Sequence, residues 1–540
     1  MKRKKFKRMK RIVSMLLVMI ISFTGCSSNN KKVQTSETET AETAKTTEVS
    51  DSDEKVITVM ISADLNPELG DPTTSGTDFS LYEMIYEPLV KYGENGEYVP
   101  ALAESWDVSS DGTEYTFYLR KDVKFSDGTN FNADSVIYSA QKWDAKSFSS
   151  PMTGIEKIDD YTIKITFEDN CYPCLTELTY PRPYRIAAES AYDKNGEFTM
   201  MIGTGEWMVE SYIPEEETVL VPNPYYYGEA PNVDKIIIKK VEDGQSRVMA
   251  LQSQEADISL ASIPEDSMSV IENEANLDIL KAEGTMGFFL MFNEKNSILQ
   301  DVNVRKALNY AVDKESIVND LLDGQGTPAI GILPQTVPYV TESNSEGYEY
   351  NIEKAKQLLS EAGYEDSDGD GFVEKDGEKL SLNLVFQSEE YSSWKSLCEY
   401  LQSEYAKIGV EINLDLKESA AYYDSIWTNR DFDMIIYRTY EDSWNPHGFL
   451  RSMFSYSDDA SGICWSDETL NQYLDEVVKI QDEEERQAKY DEIFKLISDK
   501  ALTVPLYYPL REYVYNTRLT NLVAAPTSYE SLEWNLINIE

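Results

Sequence analysis

Histidine is nearly absent from this chain: His447 is the only one in 540 residues. A cage of several protein imidazoles around a soft divalent metal is therefore excluded, and histidine-based acid–base chemistry has one candidate. Cysteine is almost as scarce. Cys26, Cys171, Cys174, Cys398 and Cys464 are too few for a dense disulfide framework. Cys171-Tyr-Pro-Cys174 has no second CxxC partner, which excludes a four-thiolate zinc site. A local disulfide stays open there, with two structural cysteines as the expectation. No Walker A loop, HExxH pair, GxSxG elbow or solenoid-length repeat occurs. No enzymatic activity is expected, although carboxylate pairs stay open in so acidic a chain. Basic residues are outnumbered, 49 Lys and Arg against 96 Asp and Glu, for a net charge of −47. That balance disfavours nucleic acid and anionic lipid headgroups, so any bound anion needs local basic side chains.

What is present describes an ordered globular protein. The hydrophobic fraction is 41%, with 36 tyrosines, and the length suggests two to four structural units. A basic run, Met1 to Arg11, precedes an apolar run from Ile12 to Phe23 and then Thr24-Gly25-Cys26. The apolar run falls short of the about 20 residues a membrane-spanning helix needs, and small residues precede the cysteine. Residues 1–25 resemble a bacterial lipoprotein signal in which Cys26 is lipidated and becomes the new N-terminus, with Phe23 in place of the usual aliphatic residue. An ordinary secretory signal with an incidental cysteine is the alternative. Residues 26–55, rich in Ser, Thr, Glu and Ala, read as a solvated, disordered tether. Removing residues 1–25 takes away eight Lys and Arg and leaves 41 against 96 acids.

Period-two alternation predicts strands at Val56–Ile61, Tyr115–Leu119, Tyr161–Phe167, Val233–Ile238, Leu382–Phe386 and Phe432–Tyr437. Apolar spacing predicts helices over Asp301–Leu322, Ile352–Ala362 and Trp394–Ile408. Strands alternating with helices give an α/β class. The prolines at 328, 334 and 338 predict an extended surface loop.

The run from Ala103-Glu-Ser-Trp-Asp-Val through Val123-Lys-Phe-Ser-Asp-Gly128 is a turn, an alternating strand and a second turn. With Ile202-Gly-Thr-Gly-Glu-Trp207, Asn223-Pro-Tyr-Tyr-Tyr-Gly228 and Val304-Arg-Lys-Ala-Leu-Asn-Tyr-Ala-Val-Asp313, it resembles the peptide/nickel family of ABC importer solute-binding proteins, bacterial extracellular family 5. The resemblance covers nearly everything after the tether. It implies a two-lobe periplasmic-binding-protein-like (type II) fold with an extra domain inserted in the first lobe. Residues 56–101, 206–292 and 505–540 would form lobe I, 102–205 the inserted domain and 293–504 lobe II. The implied protein is a monomer outside the cytoplasm, anchored by its lipid, that delivers a small solute to ABC permease subunits.

Tyr437-Arg-Thr-Tyr-Glu-Asp-Ser-Trp-Asn-Pro-His-Gly-Phe-Leu450 is similar to the family's ligand loop. Pro446-His447-Gly resembles the nickel-binding branch, as does Pro181-Arg-Pro-Tyr-Arg185, where Arg182 matches an arginine presented to carboxylates. Asp442 matches the aspartate with which the peptide-binding branch receives an α-amino group. Charge-assisted pairs from Arg182 and Asp442 would orient a zwitterion. His447 is read as a nickel ligand or as a loop histidine capping backbone groups. Arg182 alternates with a structural ion pair, Asp442 with an Asx turn, and Tyr440 and Trp444 with interdomain core rather than cleft walls. The nickel branch has a second histidine where this chain has Asp458, so nickel would arrive chelated. Chelated nickel is the expected solute, with a dipeptide or oligopeptide as the alternative; an extracellular hydrolase or a structural surface protein ranks lower. No cofactor is expected. Asp366, Asp368 and Asp370 imitate a calcium loop, but its twelfth place is Gly377, so a polar turn is the expectation rather than calcium.

Overall fold

The computed structural model describes residues 54–74, 81–93, 97–146, 148–439, 446–455, 464–527 and 530–540, the side chains of 265 and 266 excepted. Cys26, and with it the expected signal and most of the expected tether, lies outside them.

One long sheet organises the chain. Its order is Glu411–Leu416, Ser381–Phe386, Met434–Arg438, Phe288–Phe292, Thr503–Asn516, Ile258–Ser259, Val56–Ile61, Lys235–Lys240, Glu217–Pro222 and Trp207–Ile213. Phe288–Phe292 is buried at every position, as a central strand covered on both faces must be. Thr503–Asn516 is 14 residues long, and its two ends belong to different bodies. Its first residues pair with Phe288–Phe292, and its last pair with Leu277–Glu283 and Ile258–Ser259. A strand of that length spans roughly 46 Å, enough to cross from one hydrophobic core into the next.

The cores are separate. The largest gathers residues from Phe288 to Tyr507, a second gathers Leu89 to Ala188, and a third joins Ile57, Trp207, Ile236 and Ile537. The second surrounds a four-stranded antiparallel sheet in the order Ala103–Val108, Glu114–Leu119, Thr162–Phe167, Met152–Asp159. Gly112, at φ +71°, turns the first pair of its strands, a conformation that a side chain would strain.

Three local expectations need correction. The single helix expected over 301–322 is interrupted: Val302–Tyr310 ends, and a new turn begins at Lys314. Asp313 causes the restart, because its carboxylate accepts the N–H of Ser316 at 3.1 Å and caps a fresh N-terminus. The proline-rich stretch is not a surface loop, since Ile332, Leu333 and Val337 between the prolines are buried in the largest core. Cys171 and Cys174 are a disulfide rather than two separate structural thiols. Pro173 opens the helix Pro173–Glu177, and this turn brings the two Cα atoms to 5.5 Å, within bridging range. Cys398 and Cys464 are free and buried. Among the described residues no helix is long and apolar enough to cross a membrane.

Candidate functional site

Two segments carry the chain between the first and second lobes. Residues 284–287 link the paired strand Leu277–Glu283 to Phe288–Phe292, and residues 507–510 lie alongside them in Thr503–Asn516. Gly287 is held to small size there: a Cβ would lie 3.0 Å from the Ile332 carbonyl oxygen and 3.1 Å from the Tyr508 ring. Thr439, fully buried, is bonded to this crossing. Its N–H donates to the Gly287 carbonyl at 2.8 Å, and its hydroxyl accepts the Gly287 N–H at 2.8 Å. The predicted ligand loop is thus rooted at the crossing, although Tyr440, Asp442 and Trp444 themselves lie outside the described residues, as does Asp458.

Glu283 at the end of its strand and Gly284 and Thr285 of the crossing line a cavity of about 1010 Å³. One wall comes from the four-stranded body through Tyr98, Tyr115 and Tyr172, and the opposite wall from the largest body through Val337, Tyr339, Glu483 and Arg486. Tyr115 donates its hydroxyl to the Cys171 carbonyl at 2.7 Å, so the cavity wall and the disulfide turn are fastened together. The two walls touch. The Asn170 amide donates to the Lys479 carbonyl at 2.7 Å, and the hydroxyls of Tyr172 and Tyr490 are hydrogen-bonded. The Arg486 guanidinium lies 4.1 Å from the centre of the Tyr172 ring, a cation–π contact, while its Nη2 pairs with Glu483 at 3.0 Å.

The crossing strand also fixes the cavity's rim. Arg511 donates to the carbonyls of Ala525 at 2.7 Å and Thr527 at 2.8 Å, and Pro526 between them lines the cavity. Arg185, 1% exposed, donates to the carbonyls of Tyr86, Thr179 and Tyr180 and pairs with Glu530 at 3.0 Å. Burial, with the Glu530 carboxylate adding to it, pushes the nearby Glu83 up to about 7.

Arg182 stands three residues from Arg185, half-buried and engaged by its surroundings, and it is not among the cavity-lining residues. His447 is the second residue of the helix Pro446–Phe454, only 2% exposed. Its Nε2 lies 3.0 Å from the Leu474 carbonyl oxygen. A carbonyl only accepts, so the proton sits on Nε2 and the lone pair on Nδ1, which is buried with no hydrogen-bond partner. Burial, with Arg451 adding to it, lowers the imidazole to about 4, so the ring is neutral at physiological pH. The Asp366 loop closes on itself. Asp366 and Asp370 accept the N–H groups of Gly369 and Phe372, and Lys379 pairs with Asp370.

Sequence reasoning missed Tyr172, Tyr339, Arg486 and Tyr490. The only signal was the aromatic residue inside the CxxC; a lone arginine within the acidic run Glu483-Glu-Glu-Arg486 carries no motif.

Two α/β bodies linked by paired crossing segments, a third body on the first and a cavity at their junction define the two-lobe periplasmic-binding-protein-like fold. NikA of Brucella suis, solved in complex with Fe(III)-EDTA, superposes with a TM-score of 0.81 at 27% identity, covering 90% of this chain and all of that one. Residues 97–461 match the family described as bacterial extracellular solute-binding proteins, family 5 middle. This chain belongs to that family. It is 31% identical to the nickel-binding periplasmic protein of Escherichia coli K12 over 483 residues, 86% of this chain and 91% of the relative. Heme-binding protein A of Haemophilus influenzae is 27% identical, covering 83% of this chain and 86% of its own. The oligopeptide-binding protein AppA of Bacillus subtilis is also 27% identical, covering 87% and 90%.

Proposed function

We propose that the chain is the lipid-anchored, extracytoplasmic solute-binding component of an ABC importer, that it acts as a monomer without enzymatic activity, and that its cargo is nickel held by a small organic chelator. The observation that carries the nickel reading is His447. Metal-binding histidines typically donate their second ring N–H to a carbonyl or carboxylate, which orients the ring and leaves a lone pair for the metal. His447 has that arrangement, with Nε2–H on Leu474 and a neutral ring. One imidazole cannot complete nickel's coordination, so amino, carboxylate or imidazole groups of a chelator supply the remainder. A cavity of about 1010 Å³ is far larger than a bare ion needs, but neither His447 nor Arg182 is among its lining residues, so the nickel reading rests on the His447 ring and the two motif contexts and not on the cavity. Arg182 is assigned the chelator's carboxylate, and Tyr440 and Trp444 the walls around it.

A second reading, a short peptide, is favoured by Asp442, which would take the α-amino group while Arg182 takes a carboxylate. Native mass spectrometry of residues 56–540, offered nickel with free histidine and a pool of short peptides together, separates the two. A dominant nickel–chelator mass is expected, and a ladder of peptide masses would overturn the nickel reading. Anchorage is tested apart from cargo: Cys26→Ser should move the protein from the membrane fraction to the soluble one, and continued membrane retention would refute the lipid anchor.

A further inference from the structure

The contact between the cavity walls has a construction that solute binding alone does not require. Tyr172 projects from a four-residue ring closed by the Cys171–Cys174 disulfide, with Pro173 fixing the next φ. Both cysteines are buried, at 1% and 0% exposure, and Tyr115 bolts the ring to its sheet. The aromatic side chain enters a pocket of the opposite lobe made by Tyr339, Arg486 and Tyr490. The Tyr339 ring meets it edge-on at 6.0 Å and stacks on Tyr490 at 4.5 Å. Arg486 covers its face, held there by its Nη2, which donates to the Gln481 carbonyl at 3.1 Å and pairs with Glu483. Gly112, also in the inserted domain, packs so near that a Cβ would lie 2.1 Å from the Asn170 oxygen and 3.0 Å from the Gln481 amide.

We propose that Tyr172, held in register by the disulfide-closed turn, is a clasp between the inserted domain and lobe II that stabilises the closed form before any solute binds. The crossing segments are joined by backbone ladders within one sheet, whereas the Tyr172 and Asn170 contacts reach across the cavity through side chains and would be lost on opening. Interactions made in one form alone shift the population toward it. The disulfide contributes preorganisation, because a free turn would lose backbone freedom each time the clasp closed. Tyr172 is thus a positioning residue that sets how far closure must be driven by the solute.

The test uses residues 56–540 without solute, so it stands or falls separately from the nickel reading. Hydrogen exchange is measured at the amides of residues 170–178 and 481–490, and small-angle scattering gives the radius of gyration. Tyr172→Ala should speed exchange in both segments by about tenfold and raise the radius, while amides of Phe288–Phe292 stay protected. Cys171→Ser with Cys174→Ser should act in the same direction by a smaller factor. Unchanged exchange and radius in a folded Tyr172→Ala protein would overturn the clasp. Should that variant fail to fold, the near-isosteric Tyr172→Phe decides: it removes only the hydroxyl pair with Tyr490, and about threefold faster exchange is expected, whereas wild-type exchange would overturn the proposal.

Discussion

The two junctions between lobes are built from different chemistry. At the crossing, backbone ladders of Phe288–Phe292 and Leu277–Glu283 run along one strand, and Thr439 and Arg511 tie neighbouring segments to it. At the clasp, contact rests on side chains, Tyr172 with Tyr490 and Arg486, and Asn170 with Lys479. Backbone ladders are cooperative with the fold itself, while side-chain contacts can be made and lost without unfolding anything. The first junction therefore holds the molecule together, and the second is available to bias closure.

Substitutions should separate the two. Phe289→Ala, at a fully buried crossing position, should lower global stability by about 3–5 kcal/mol in chemical denaturation; a loss under 1 kcal/mol would mean that the crossing is not part of the cooperative core. Acid acts through His447 on the core built around Phe288–Phe292, into which the helix Pro446–Phe454 packs. The folded value of His447, about 4, lies below its ordinary value of 6.5, so the unfolded chain takes up the proton first. The neutral ring's contribution is complete above pH 6.5 and lost as pH falls toward 4, worth at most about 3 kcal/mol. Histidine removal by His447→Gln should flatten that part of the stability–pH curve, and an unchanged slope would contradict the assignment. Gly112→Ala should cost about 1–2 kcal/mol through its positive φ. It should also free Asn170 from Lys479, raising exchange at the clasp more than at the crossing; equal effects at both would erase the distinction. Tyr172→Phe sits at the small end, with under about 1 kcal/mol of global stability lost and its main effect on closure.

Much of this architecture was legible in the sequence. Strands with strict alternation or continuous apolar runs, such as Val56–Ile61 and 382–386, announced themselves, because burial on one or both faces dictates the pattern. The helix break at Asp313 was not legible by periodicity, since apolar spacing continues through a capping residue that restarts the helix. The buried proline-rich segment misled for a related reason: prolines report the backbone, while Ile332, Leu333 and Val337 decide the burial. His447 and Arg182 were singled out by their motif contexts, and neither is among the residues lining the cavity. The clasp was not, because its partners, Tyr172, Tyr339, Arg486 and Tyr490, are brought together only by the tertiary fold and no spacing rule connects them.

The most direct measurement is small-angle scattering of residues 56–540 and of its Tyr172→Ala variant, each with and without saturating nickel and free histidine. Both proteins should reach the same compact radius when loaded, with the variant starting larger and contracting more. No contraction in either protein while nickel is bound would contradict solute capture by lobe closure.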